Sequence, residues 1–205
     1  MWHHVPVPKQ VDHHQRRTLI ADALMRVAAE RGVEAVSLRH VAAEAGVTSG
    51  MVQHYFRSKD EMMTFAMEVI REKVAVRLTA DAPGGDAPVT ELVRRLLVQL
   101  LPLDEARRTE GRVALAFLAY AAGRPEIGAA VRTDNARLQL LVADHLRAAQ
   151  AAGQVRADLE PAHAARALTA LVEGLGMQAL SGDCSPETAL AVFDAQLDLL
   201  FGRSA

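Results

Sequence analysis

Residues 48–59, TSGMVQHYFRSK, gather polar and aromatic groups in a chain otherwise rich in Ala and Leu. Their chemistry suits a nucleic-acid surface. The Gln53 amide can donate and accept at one base edge, and Met51 can touch a thymine methyl. Ser37, Thr48, Tyr55 and Lys59 can bind phosphate oxygens, which fix register rather than sequence. Gly50 allows close approach.

Two short helices must position these groups. Ser37 is placed to cap the segment LRHVAAEA, whose apolar positions are Leu38, Val41, Ala42 and Ala45, and Gly46 ends it. Thr48 is the natural N-cap of the next helix. Val47 and Val52 have hydrophobic-staple spacing. Val52 and Phe56, four apart, face inward, which leaves Ser49, Gly50, Gln53 and His54 outside and Met51 and Tyr55 at the margins. Ser58 caps a following helix that opens with Lys59, Asp60 and Glu61. Two short helices joined by a tight glycine-containing turn form a helix-turn-helix, whose second helix enters a major groove N-terminal residues first. A plain helical hairpin with a solvated polar face is the alternative.

Charge placement agrees with an anionic partner for one end of the chain. Residues 1–60 carry eight Lys/Arg against six Asp/Glu and hold six of the eight histidines, whereas the whole chain has a net charge of −2. A mildly basic head on an acidic body suits an anion at the head alone. Aromatics are 4% of residues and apolar residues 50%, so helix is favoured over strand and a sizeable core can form. The single cysteine, Cys184, excludes an intramolecular disulfide framework and fits a reducing cytosol. The N-terminal MWHHVPVPKQVDHHQRR has no apolar core of a signal peptide. The longest apolar run, VALAFLAYAA at 113–122, is about half a membrane span. A cytoplasmic protein with no membrane partner is expected.

Catalytic readings find little support. His3/His4 and His13/His14 are adjacent pairs that diverge on a helix, with no acidic or cysteine cluster to complete a metal site. No Gly-rich phosphate loop, zinc-protease motif or nucleophile elbow occurs. Cys184 has no histidine near it in sequence. An all-α enzyme or small-molecule binder with an incidental helix-turn-helix would need a convergent polar cluster. Arg137, Asp144, His145, Glu173 and Gln178 have no catalytic spacing. No enzyme, cofactor or metal is expected.

The rest of the chain reads as helix throughout, giving an all-α fold of about nine helices. The first runs from about Asp12 to Arg31, with Leu19, Ile20, Ala23, Leu24, Val27 and Ala28 on one face. The fourth spans about 58–79. After the loop DAPGGDAP (81–88), helices follow at about 88–101, 104–122, 125–152, 160–181 and 186–201. The second half of the sixth is apolar all round, which predicts burial. The eighth carries one stripe of Ala164, Leu168, Leu171, Leu175 and Gln178, and a second of Ala167, Ala170 and Gly174. The ninth repeats Leu190, Phe193, Leu197 and Leu200. Two stripes on one helix predict two partners, unless both are spent inside the chain.

The segment GVEAVSLRHVAAEAGVTSGMVQHYFRSKDEM (32–62) resembles the DNA-binding signature of TetR-type transcriptional regulators. LPLDEARRTEGRVALAFLAYAAGRPEI (101–127) is similar, less densely, to the betaine/choline-type branch. The resemblance implies a helix-turn-helix domain at 1–57 and a helical ligand-binding and dimerisation domain at 58–205. It implies a homodimer on a palindromic double-stranded DNA operator, acting as a repressor. The all-round apolar sixth helix beside a Met-rich fourth, with no dense acidic or basic cluster, predicts release by a small hydrophobic effector, uncharged or singly charged; the betaine/choline resemblance would instead favour a quaternary ammonium held over aromatics. Arg39, Ser49, Gly50, Met51 and Gln53 match positions that approach bases. Ser37, Thr48, His54, Tyr55 and Lys59 match positions that hold the backbone. Lys9, Arg16 and Arg17 either reach a phosphate or form a solvated arm. The family's cavity makes Phe65, Phe117, Tyr120, Met177 and Gln178 effector candidates, and its four-helix dimer bundle makes Leu168, Leu171, Leu175, Leu190, Phe193 and Leu197 interface candidates. Many members have an aromatic where this chain has Gln53, so base preference does not carry over.

Overall fold

The computed structural model describes residues 9–80 and 87–201, with side chains from His13 onward. Among the described residues there are helices and turns and no strand. The chain divides into two compact units, Met1–Lys73 and Val74–Ala205.

The first unit holds α1 (Lys9–Arg31), a 3-10 turn (Val33–Ala35), α2 (Leu38–Ala45), α3 (Ser49–Tyr55) and the first part of α4 (Lys59–Ala80). Its core is Ile20, Leu24 and Val27 of α1, Val41 of α2, Val52 and Phe56 around α3, and Met62 and Met63 of α4. The unit runs past the boundary expected at Arg57 because the opening turns of α4 are packed and pinned here. Arg17 explains much of this. Its guanidinium lies 4.8 Å from the Phe56 ring centroid and 4.2 Å from that of Phe65, and Nη2 reaches Glu61 at 3.5 Å. Arg17 is therefore a stacked internal cation rather than a phosphate arm or a solvated one. Lys73 meets Asp22 at 2.8 Å, and Lys59 Nζ donates to the Val33 carbonyl at 2.7 Å.

The second unit holds the last turns of α4, then α5 (Val89–Leu97), a 3-10 turn (Val98–Leu100), α6 (Glu105–Ala122), α7 (Pro125–Ala151), α8 (Pro161–Ser181) and α9 (Pro186–Leu200). Local chemistry starts these helices where the sequence suggests. Asp104 accepts from the Arg107 N–H at 2.8 Å to cap α6, and that bond holds its carboxyl below the usual range. Proline stands in the first turn of α7, α8 and α9, where a missing N–H costs nothing. The core is Leu97, Leu101, Leu146, Val172, Phe193 and Leu197.

Polar pins fix the helices to one another. Arg77 holds buried Glu110 through two bonds of 3.0 and 2.8 Å, and its Nε donates to Gln99 at 2.9 Å. Arg94 clasps Asp194 of α9 at 2.7 and 3.0 Å. The Gln150 amide donates to the carbonyls of Arg156, Ala157 and Leu159, which closes the connection into α8. The Cα of Gly176 on α8 faces the Leu100 carbonyl, and a Cβ there would stand 2.9 Å from that oxygen.

Two expectations about faces change. The second half of α6 is not buried all round: Val113, Phe117 and Tyr120 point inward, whereas Leu115 and Leu118 are more than 40% exposed. The leucine stripes of α8 and α9 are spent inside the chain. Leu168, Leu175, Phe193 and Leu197 are buried in the second unit's core, and Leu171 and Leu190 are partly buried against it. The faces left exposed carry Ala167, Ala170 and Met177 on α8, and Ala191, Val192, Ala195 and Leu199 on α9, with Gly174 partly exposed beside them. Small and apolar residues therefore share the uncovered surface with polar ones such as Arg166, Glu173, Gln178, Gln196 and Asp198.

Candidate nucleic-acid interface

The turn between α2 and α3 is built by Gly46, whose φ of 67° is left-handed and strained for a residue with a Cβ. The Val47 N–H returns to the Ala42 carbonyl at 3.0 Å. Ser37 and Thr48 act as N-caps, accepting from the His40 and Met51 N–H groups at 3.2 Å each. Their hydroxyls thus anchor the two helices, and each keeps an O–H for an external oxygen.

Val52 and Phe56 anchor the inner side of α3, both almost fully buried. Ser49, Gly50, Met51, Gln53 and His54 are exposed, as is Arg39 on α2. The exposure of Ser49, Gly50, Gln53 and His54 is the one their spacing predicts. Tyr55 is half-buried, in edge contact with His54 at 5.1 Å and with His13 of α1 at 4.8 Å. His13 therefore props the end of α3, a role that its adjacency to His14 in sequence conceals. His40, exposed on α2 with Nδ1 2.7 Å from the Ala35 carbonyl oxygen, also escapes sequence reasoning. Lys59 is placed at the start of α4, but its ammonium is already engaged by the Val33 carbonyl. The side chain of Lys9 and residues 1–8 and 81–86, with His3, His4 and most of the predicted loop, lie outside the described residues.

The effector candidates fall in both units. Phe65 belongs to the first unit, packed on Phe56 at 5.5 Å beneath Arg17. Phe117 and Tyr120 are buried on α6. Met177 and Gln178 are exposed on the outer face of α8. Two cavities occur in the second unit. One of about 330 Å³ lies where α6 turns into α7, lined by Leu118, Ala122, Arg124, Val131 and Arg132. The Arg124 guanidinium there sits 3.6 Å from the Tyr120 ring centroid and donates to the Tyr120 carbonyl. The other, about 300 Å³, is lined by Arg94, Arg95, Arg107, Val98, Leu103 and Leu190 among others. Among the described residues no cluster of His, Cys, Asp or Glu could hold a metal, and no helix is long and apolar enough to cross a membrane.

Comparison with known proteins places this geometry. Residues 20–64 match the family model described as bacterial regulatory proteins, tetR family, and residues 89–202 match the BetI-type transcriptional repressor C-terminal domain. The HTH-type transcriptional regulator PksA of Bacillus subtilis is 39% identical over 115 residues, a stretch covering 56% of each chain. A crystal structure of a transcriptional regulator from Rhodococcus sp. Rha1 has a TM-score of 0.77 at 33% identity, over 90% of this chain and 95% of that one. A regulator from Saccharomonospora viridis, solved in complex with choline, shares the fold with a TM-score of 0.79 at 24% identity, over 90% of this chain and 96% of that one. With an exposed recognition helix at one end and a BetI-type helical domain at the other, the chain belongs to the TetR family of bacterial transcriptional regulators, in its BetI-like branch.

Proposed function

We propose that the chain is a homodimeric repressor that reads a palindromic operator and is released by a small effector with an apolar body. The observation that carries this reading is the division of α3, with Val52 inward and Ser49, Gly50, Met51, Gln53 and His54 outward. One short helix reads too few base pairs for specificity, so two copies related by a two-fold axis, recognition helices ~34–36 Å apart, are needed. The exposed small-residue face of α8, with Ala167, Ala170 and Gly174, lets a second copy's helix come close, and α9 supplies Ala191, Val192, Ala195 and Leu199 beside it. This face replaces the buried leucines as the dimer surface.

The effector belongs in the second unit, where both cavities lie. It acts only through different affinities for the DNA-competent and DNA-incompetent forms, typically a coupling of ~1–3 kcal/mol. The choline-bound relative favours a quaternary ammonium as a second reading. Against it, an aromatic cage is hard to build. Phe65 lies in the first unit, and the Tyr120 ring is already covered by Arg124.

Footprinting with sedimentation tests the proposal. The DNA upstream of the chain's own gene should show a protected (pseudo)palindrome, bound by a dimer and lost steeply as salt rises. Equal affinity for unrelated DNA, or binding by a monomer, would overturn it.

A further inference from the structure

We infer that the cavity between α5, α6 and α9 is the effector site, and that it takes an amphipathic organic monoanion, a small carboxylate with an apolar tail. This rests on the reading of the chain as an effector-released repressor and gives that effector its chemical class.

The cavity is lined by three guanidiniums and no carboxylate. Arg94 is neutralised by Asp194, and Arg107 bonds Asp104 through Nε at 2.8 Å. Arg95 differs: its described partner is a neutral group, the Leu78 carbonyl, at 2.9 Å from Nη2. The described bonds take one N–H of Arg95 and one side-chain N–H of Arg107, while each guanidinium has five. Glu91 also acts on Arg94. Among the described residues, Arg95 is the lining guanidinium with no carboxylate hydrogen-bonded to it, and it offers one positive charge and N–H donors suited to a planar carboxylate. One such charge fits a monoanion rather than a phosphate ester. Val98, Leu103 and Leu190 supply an apolar wall for a tail. A volume of about 300 Å³ corresponds to the share of about ten waters, hence a ligand of about ten non-hydrogen atoms. Arg94 and Arg95 are neighbours in sequence, and the fold brings Arg107 of α6 beside them.

The same bond supplies a route to the DNA. The Leu78 carbonyl lies in the last turn of α4 and accepts from Arg95, which ties that end of the helix to α5. A carboxylate adds charge pairing to the hydrogen bonds it accepts from a guanidinium, which a neutral carbonyl cannot. A bound anion therefore repositions Arg95 and weakens its bond to Leu78 at the end of α4, the helix that begins at Lys59 in the first unit.

Calorimetry on the full chain tests the site with octanoate, its isosteric neutral amide octanamide, and choline. Octanoate should bind, and octanamide and choline at least about tenfold more weakly, since neither can form the carboxylate–guanidinium ion pair. Arg95→Gln and Arg107→Gln should each weaken octanoate by about tenfold or more. Arg124→Gln, at the other cavity, should leave octanoate binding unchanged. Circular dichroism identifies any variant that fails to fold, and the octanamide comparison on the unmodified chain then decides. No octanoate binding at millimolar concentration, or equal binding of octanamide, overturns the site. A gel shift on the upstream DNA separates the two layers. Octanoate that binds without weakening the DNA complex overturns the coupling alone. Octanoate that binds to a chain with no DNA affinity overturns the repressor reading and leaves the anion site standing.

Discussion

Gly50 is the residue at which fold and function give opposite instructions. A Cβ built there meets only Thr48 Oγ1, at 3.9 Å, an ordinary contact. Its backbone is not in the left-handed region either, unlike Gly32, Gly46, Gly153 and Gly182. Nothing inside the chain requires a glycine. In a helix interior glycine is about 1 kcal/mol worse than alanine, and in the first turn of α3 roughly half of that applies. Gly50→Ala should therefore stabilise the free protein by ~0.5–1 kcal/mol, which is about 1–4 °C in Tm for a chain of this size. The new methyl stands on the exposed side of α3, where the backbone must approach the groove. Inserting a methyl into a closely packed contact costs ~1–3 kcal/mol, so operator affinity should fall about tenfold or more. Thermal melts and fluorescence anisotropy on one preparation measure both quantities. A variant with raised Tm and unchanged operator affinity would refute close backbone approach at Gly50. A lowered Tm would refute the claim that the chain leaves it room.

Gln53→Ala should cost ~1–3 kcal/mol of operator binding and relax preference at one base pair per half-site, read by competition with single-base operator variants. Lys59→Ala should weaken binding on all DNA alike and flatten the salt slope by about one per subunit; because Lys59 also holds the Val33 carbonyl, its Tm should fall as well. Gly174→Leu should abolish the dimer in sedimentation while the monomer stays folded, since nothing lies within 4 Å of a Cβ there; an intact dimer would place the interface elsewhere. Glu173 lies exposed on α8, and partial desolvation by its neighbours raises its carboxyl above the usual range, so around that range the folded chain keeps a proton that the unfolded chain has lost. Stability should accordingly fall as pH rises from about 4.3 through that raised value, and Glu173→Gln should remove this slope from melts taken across the range.

The reading unit was legible because its signals are local. Ser37, Gly46 and Thr48 each set a helix end through their own backbone and neighbours, and the staple spacing of Val47 and Val52 needs no knowledge of the rest. Faces were legible but their partners were not. Periodicity finds the stripe containing Leu168 and Leu175, and equally the one containing Ala167 and Ala170, yet it does not say which of them meets the chain's own core. The leucines went inward because α7 and α9 cover them, and only the three-dimensional arrangement supplies that. The division of α4 was hidden for a related reason: one helix serves both units, and its Phe65 falls in the first. Arg17 acts through partners distant in sequence and Arg95 through a backbone carbonyl, which leave no periodic trace.

The way α3 is held has a consequence for how such proteins diversify. Two inward side chains, Val52 and Phe56, and one capping hydroxyl on Thr48 secure the helix, and none of these is a base-reading position. Exposed substitutions that touch no special feature usually change stability by less than about 0.5 kcal/mol. Mutation at Ser49, Met51, Gln53 or His54 can therefore wander through sequence space with the scaffold left intact. A duplicated copy can acquire a new target gene without first acquiring compensating changes in its core.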